Sequence, residues 1–220
     1  VEGHRLFFGE LIEPSALIGT KEVQQADDAA TLSRDAALSV MPMLSGSVNI
    51  TPQGGALAVE NALKVAFDWK AQRSGSAAGG TAQERSGSKV LHLTEAFHGR
   101  SGYTMSLTNT DPNKVARFPK FDWPRIDAPY LLPGRDVVAA EERALAQARA
   151  AFETYRDDIA CFIAEPIQGE GGDHHFRPQF LQAMQELCHA NDALFVMDEV
   201  QTGVGRTGAW FACTDEGVEP

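Results

Sequence analysis

Two hydrophobic spacings alternate along residues 54–220. Val59, Leu63, Ala66 and Phe67 fall on one side of a 3.6-residue period and predict a helix from Gly54-Gly55 to about Lys70. Lys89-Val-Leu-His-Leu93 reads as a strand. The Ala- and Glu/Arg-rich stretch from Asp136 to about Arg156 reads as a helix, and Ile159–Ala164 as a second strand. Phe180, Met184, Leu187 and Cys188 mark one face of a further helix, and Leu194–Met197 follow as a third strand. Apolar runs this short, bounded by turn residues, suit strands covered on both faces. Residues 159–198 then form a strand–helix–strand unit, expected to be parallel with a right-handed crossover. The fold class predicted is α/β: three layers, with a mostly parallel sheet flanked by helices.

The remaining stretches are less regular. Leu6-Phe-Phe8 and Leu11-Ile12 read as short strands, and residues 21–38 as a helix. Ser45–Pro52 reads as loop or edge strand, ended by Pro52. Residues 71–88 are small and polar and predict a surface excursion. Residues 107–134 lack a long period, and their mixed aromatics and prolines predict an ordered loop.

Composition narrows the class. The 220 residues suffice for one sizeable domain, or part of a larger protein. At 43% hydrophobic and 22% charged the chain is an ordinary soluble one, and its net charge of -11 argues against a nucleic-acid partner. No apolar run approaches the roughly 18 residues of a membrane span, and the N-terminus lacks signal-peptide order. Cys161, Cys188 and Cys213 are odd in number and widely spaced, which predicts reduced core thiols and a cytoplasmic setting.

Candidate chemistry lies at the strand ends, where open α/β sheets bind ligands. The first strand leads to Phe97-His98-Gly99-Arg100, the second to Glu165 and Gln168-Gly-Glu170-Gly-Gly172, the third to Asp198-Glu199. A carboxylate placed there is costly unless it meets a cation, a metal or a donor, so Asp198 is expected to face something positive. Gly54-Gly55-Ala56 either cradles an anion at the positive end of the first helix or makes a plain turn. Leu194–Glu199 has Walker B lettering, but no Gly-Lys-Ser/Thr loop accompanies it. Gly203–Gly208 matches G-x-G-x-x-G without opening a helix after a strand, and His174-His175 lack partners at ligand spacing. Glu165 and Asp198 remain open as a carboxylate pair for glycoside hydrolysis. One reading uses all the features. Pyridoxal phosphate needs an acid at its ring nitrogen, an aromatic over its face and an anion cradle, and Asp198, Phe97 and Gly55-Ala56 could supply them.

Phe97-His-Gly-Arg100, Glu165-Pro-Ile-Gln-Gly-Glu-Gly-Gly172 and Asp198-Glu-Val-Gln-Thr-Gly203 resemble the class III aminotransferases of fold type I. Gly54–Lys64, Gly99–Thr110 and Arg117–Tyr130 are more particular and resemble the bacterial L-lysine 6-transaminases within that class, with 4-aminobutyrate transaminases as the neighbouring alternative. The resemblance covers residues 54–220, which it marks as part of a cofactor-binding large domain, with 1–53 a divergent N-terminal segment. It implies that Gly55 and Ala56 bind the cofactor phosphate, that Phe97 stacks on the ring, that Asp198 pairs with the ring nitrogen and that Gln201 hydrogen-bonds near the ring's phenolic oxygen. Arg100 would hold a substrate carboxylate, Glu170 would gate between L-lysine and 2-oxoglutarate, and Glu165 would help shape the site. It further implies a homodimer at full length, and a Schiff-base lysine a short way past Pro220. The chain is thus expected to be a fragment, inactive alone and with aggregation-prone exposed surfaces.

Overall fold

Helix α1 (Gly55–Arg73) starts where Gly54 turns the backbone to a φ of +99°, a conformation that residues with a Cβ rarely adopt. The N–H of Ala58 donates to the Gly54 carbonyl at 3.3 Å and closes the first turn. Lys70 and Arg73 occupy the last turn, where positive charge suits the helix dipole. The computed structural model describes residues 7–8, 54–73, 87–218 and 220. In order after β1 (Phe7–Phe8) and α1 come β2 (Lys89–Leu93), α2 (Thr104–Leu107), α3 (Pro112–Val115), β3 (Arg125–Ile126) and α4 (Val137–Tyr155). There follow β4 (Ile159–Ala164), β5 (Ile167–Gln168), β6 (His174–His175), α5 (Pro178–Ala190), β7 (Leu194–Asp198) and α6 (Ala212–Asp215).

Five strands form one sheet in the order β1-β7-β4-β2-β3, and every pairing in it is parallel. Side chains alternate between the two faces, as a period of two requires. Val90, Cys161, Ile163 and Val196 point to the α1 side, where they meet Val59, Ala62, Leu63 and Ala66. Leu91, Leu93, Phe162, Phe195 and Met197 point the other way, onto Ala144, Ala148 and Phe152 of α4 and Phe180 and Met184 of α5. Each such buried aliphatic or aromatic side chain contributes roughly 1.5–3 kcal/mol. The three layers, the helices and the three central strands agree with the sequence reading. Helix α4 is capped by Asp136, whose carboxylate accepts from Ala139 N at 3.1 Å.

The differences lie where no long period exists. The loop expected across 107–134 contains α3, capped by the Asp111 side chain, and the edge strand β3. A strand of two residues leaves no periodicity to read. Here it is held by His92 N donating to Pro124 O at 3.2 Å and Thr94 N to Ile126 O at 2.8 Å. Trp123 anchors the same stretch, stacking on Phe121 at 5.0 Å and donating to Ser88 O at 3.0 Å. The antiparallel pair β5–β6 was likewise not expected. Helix α1 extends through Ala71, Gln72 and Arg73 into the expected excursion. Of the N-terminal expectations, the first strand is present at Phe7–Phe8, beside β7. Leu11-Ile12, the 21–38 helix, Ser45–Pro52 and residues 74–86 lie outside the described residues. Among the described residues no helix is long and apolar enough to cross a membrane. All three cysteines are buried free thiols, and burial pushes that of Cys161 up to about 12.

Lys70 is a buried cation with a structural task. It is 2% exposed, and its Nζ donates to Asp192 O at 2.6 Å and Asn191 O at 3.5 Å, closing the C-terminal end of α5. Replacing Lys70 with Met would leave those carbonyls without their donor. The expected loss is about 1–3 kcal/mol in urea unfolding, whereas Lys64→Met, on the exposed face of α1, should stay within about 0.5 kcal/mol.

Candidate functional site

Because β2, β4 and β7 are adjacent and parallel, the segments that leave their carboxyl ends emerge together. Asp198 closes β7 and is 5% exposed. Its Oδ2 lies 2.7 Å from Nδ1 of His98, itself buried, and its Oδ1 accepts from Val200 N at 3.1 Å. The positive partner expected opposite Asp198 is thus met, within the described residues, by an imidazole from the end of β2. Burial opposes charge on His98, but the hydrogen bond and charge of Asp198, with the charge of Glu165, outweigh it and raise the imidazole above its ordinary range. Nε2 of His98 is buried and has no hydrogen-bond partner among the described residues. The main chain around the ring is fixed: His98 N donates to Thr108 Oγ1 at 2.9 Å, and that hydroxyl donates to Gly99 O at 2.6 Å.

Glu165, 4% exposed just past β4, accepts from Phe97 N at 2.9 Å and from Gly169 N at 3.3 Å. Burial is the main cause that pushes its carboxyl up to about 7, and the charge of Asp198 adds to it. His98 and the two N–H donors pull the other way. Glu165 therefore joins the Phe97 loop to the Gly169 turn and is poised to hold or release a proton near neutrality.

The N-terminus of α1 meets this cluster through two close approaches. A Cβ at Gly99, whose φ is +104°, would lie 2.5 Å from Cβ of Ala56, and a Cβ at Gly55 would lie 2.7 Å from Cγ1 of Val200. Glu60, 7% exposed on α1, ties the loop down by accepting from Ser101 Oγ and Tyr103 N, each at 2.7 Å. The first-turn N–H groups of a helix have no intrahelical acceptor. Those of α1 are thus presented beside the Asp198 strand end, as an anion site requires.

Gln201 is exposed and packs against Gly169, where any side chain would collide with its amide. Glu170 is exposed and 3.7 Å from Nζ of Lys114, which also sits 5.9 Å from the ring centroid of the half-buried Phe97. Gly171 lies against the carbonyl of Glu95, and Gln168 donates to Thr94 O at 2.8 Å, so the turn bearing Glu170 is firmly seated. Arg100 is exposed, and among the described residues no hydrogen bond or ion pair draws it toward Asp198, Phe97 or Glu170. Gly55, Ala56, Phe97, Glu165, Asp198 and Gln201 are thus tied through their own loops into one region, with Glu170 at its margin and Arg100 outside. The adjacent acid Glu199 faces the other way. It accepts from Cys213 N at 2.8 Å and from the Thr202 hydroxyl, folding the loop after β7 back on itself.

Sequence reasoning placed His98 in a strand-end loop but gave it no role, and it passed over Glu60 and Lys114. The signal for His98 was present: Asp198 required a cation or donor, and His98 is an imidazole past the carboxyl end of β2, one strand removed from β7 across β4. Glu60 carried none, because an acid in the second turn of a helix reads as solvated.

The raised Glu165 carboxyl makes stability depend on pH. A carboxyl near 4.5 unfolded and about 7 folded binds its proton more tightly in the native state. Its contribution is whole below about pH 4.5 and is lost as pH rises through 7, up to about 3 kcal/mol. His98, also raised, acts in the same direction at higher pH. Thermal unfolding followed from pH 4.5 to 8 is expected to show a steeper decline in the natural chain than in Glu165→Gln; parallel curves would contradict it.

Comparison with known proteins gives this geometry its family. The class-III aminotransferase model matches residues 17–220. The chain is 64% identical over 171 residues to an L-lysine-epsilon aminotransferase of Mycobacterium tuberculosis, a match covering 76% of this chain and 37% of that protein. A solved lysine aminotransferase from M. tuberculosis, in its internal aldimine form, superposes with a TM-score of 0.71 at 62% identity, covering 76% of this chain and 38% of that one. A 4-aminobutyrate aminotransferase of Emericella nidulans is 32% identical over 203 residues, 84% of this chain and 41% of its own. The chain thus spans less than half the length of the curated relatives it matches. On the extent of the family match, and with a parallel sheet that delivers Asp198 to the N-terminus of α1, this chain belongs to the class-III aminotransferases.

Proposed function

We propose that residues 54–220 are the cofactor-binding part of a transaminase that moves the ε-amino group of L-lysine to 2-oxoglutarate, giving 2-aminoadipate 6-semialdehyde and glutamate. The observation that carries this reading is the buried Asp198, held by His98 beside Gly55-Ala56 and the Phe97 loop. Pyridoxal phosphate is the cofactor of this family, and the residues present fit it. Gly55 has no room for a side chain against Val200, which keeps the first turn of α1 close to the Asp198 strand end. The buried carboxylate suits a protonated ring nitrogen. When bound, the cofactor supplies an electron sink for the carbanion formed at the substrate carbon.

In this reading the first-turn N–H groups at Gly55 and Ala56 hold the phosphate. Asp198 faces the ring nitrogen, Phe97 covers one face of the ring, and Gln201 hydrogen-bonds near its phenolic oxygen. Glu165 excludes water behind Phe97 and fixes its backbone. Arg100 takes a substrate carboxylate by moving inward from its exposed position. Glu170, exposed on a firmly seated turn, swings its carboxylate to admit either lysine or the dicarboxylate. The preference for lysine rests on 64% identity to a lysine enzyme against 32% to a 4-aminobutyrate enzyme. A homodimer and a cytoplasmic setting complete the proposal; the buried free thiols accord with a reducing compartment.

Amine-donor preference of the complete polypeptide bearing this chain decides between the two substrates. With 2-oxoglutarate as acceptor, lysine should be favoured over 4-aminobutyrate by about 10- to 100-fold in kcat/KM, the worth of one charge-assisted hydrogen bond. Transfer from 4-aminobutyrate alone would sink the lysine assignment. In the same assay Asp198→Asn should lower kcat by at least about 100-fold, since it removes a charge aimed at the reacting ring.

A further inference from the structure

The roles above leave Lys114 unused, although the fold holds it in a fixed place beside the site. It sits in α3, where the Asp111 carboxylate accepts from Asn113 N at 2.9 Å and Ala116 N donates to Pro112 O at 2.8 Å. The next residue, Val115, is buried, and Lys120 Nζ donates to its carbonyl at 2.7 Å. The approach to α3 is bound to the Phe97 loop, since Asn109 N donates to Ala96 O at 2.9 Å. From this base the Lys114 side chain reaches two groups at once. Its Nζ lies 5.9 Å from the ring centroid of Phe97 and 3.7 Å from Oε2 of Glu170. Glu170 stands on a seated turn, so its carboxylate moves by its own side-chain torsions while the lysine's anchor stays where it is.

We infer that Lys114 is a positioning residue for Glu170: its ammonium draws that carboxylate aside and partly neutralises it, which favours the dicarboxylate acceptor over the cationic amine donor. The inference rests on the reading of Glu170 given above. Charge gives the sign. A free carboxylate at the margin of the site attracts lysine, which carries net positive charge, and repels 2-oxoglutarate, a dianion. Paired with Lys114 it does less of both. The face of Phe97 attracts the same ammonium and helps to keep it beside Glu170. Both partners of the ion pair are partly exposed, 36% and 46%, so water and salt screen it. A weak hold suits a site that must take the two substrates in turn, because a tight one would shut out the amine donor.

The complete polypeptide bearing this chain, loaded with pyridoxal phosphate and kept at low ionic strength, tests this. Glutarate is the binding probe. It has the two carboxylates of 2-oxoglutarate but no keto group to receive the amine, so calorimetry reads its affinity without turnover. Lys114→Met should weaken glutarate about two- to fivefold, and Lys114→Arg should stay within about twofold of the natural protein. Glu170→Gln should tighten glutarate, and in that background Lys114→Met should lose most of its effect, because the lysine acts through the carboxylate. The two half-reactions, followed separately, should move in opposite directions in Lys114→Met: kcat/KM rises for lysine and falls for 2-oxoglutarate, each about two- to fivefold. Equal weakening of glutarate with and without Glu170→Gln would make Lys114 an independent charge and overturn the proposal. A loss in both half-reactions alike, as a merely structural lysine would give, overturns it too. If Lys114→Met is silent while Glu170→Gln shifts glutarate, the proposal falls and the reading of Glu170 stands; if both are silent, the two fall together. Glutarate binding involves no amine donor, so a preference for 4-aminobutyrate would refute the substrate assignment and leave this test intact.

Discussion

The contact between His98 and Asp198 joins residues a hundred positions apart in the chain, and the region around it is arranged by what that contact needs. Two strands must be parallel, in one sheet and in register for their ends to deliver an imidazole and a carboxylate to the same point. Strand β4, lying between β2 and β7, sets that register through Phe162 opposite Leu91 on one side and Phe195 on the other. The buried aromatic and aliphatic contacts on both faces then hold the strands rigidly enough for a 2.7 Å contact to persist.

Close backbone approach does the remaining assembly. Glycine at positions 55 and 99 lets α1, the loop after β2 and the loop after β7 occupy space that one methyl group would claim. The acids divide the labour by direction. Glu60 fastens a loop from below, Glu165 bridges two turns, Asp198 faces the α1 side and Glu199 the opposite side. That last division follows from the two-residue period of β7: Val196 points to α1 and Met197 to α5, so the acids that follow inherit alternate faces.

The long elements were legible because their signal is repetitive. Val59, Leu63 and Ala66 give a helix wherever they are met, and Ile159–Ala164 can scarcely be anything but a buried strand. The two-residue strands β3, β5 and β6 were not legible, since they exist only through partners supplied by the fold. At the site, residue type at a strand end was enough to nominate Asp198, Phe97 and Glu165. Proximity was not readable: nothing in the sequence says that the imidazole of His98 reaches the acid of β7, or that Lys114 stands between Phe97 and Glu170. Lys70 shows the limit from the other side. A lysine in a helix's last turn reads as solvated, and here it is buried because the end of α5 offers it carbonyl oxygens.

Glu95 adopts a φ of 60°, uncommon for a residue with a side chain, directly ahead of Ala96-Phe97-His98. The kink aims its carbonyl into the hollow that Gly171 leaves open. The two turns are therefore mated like key and ward. Neither can be lengthened, shortened or re-aimed without the other. Any attempt to graft a different acid-bearing turn at Glu170 must carry the segment around Glu95 with it, and the natural history of the two stretches should be one of joint rather than separate change.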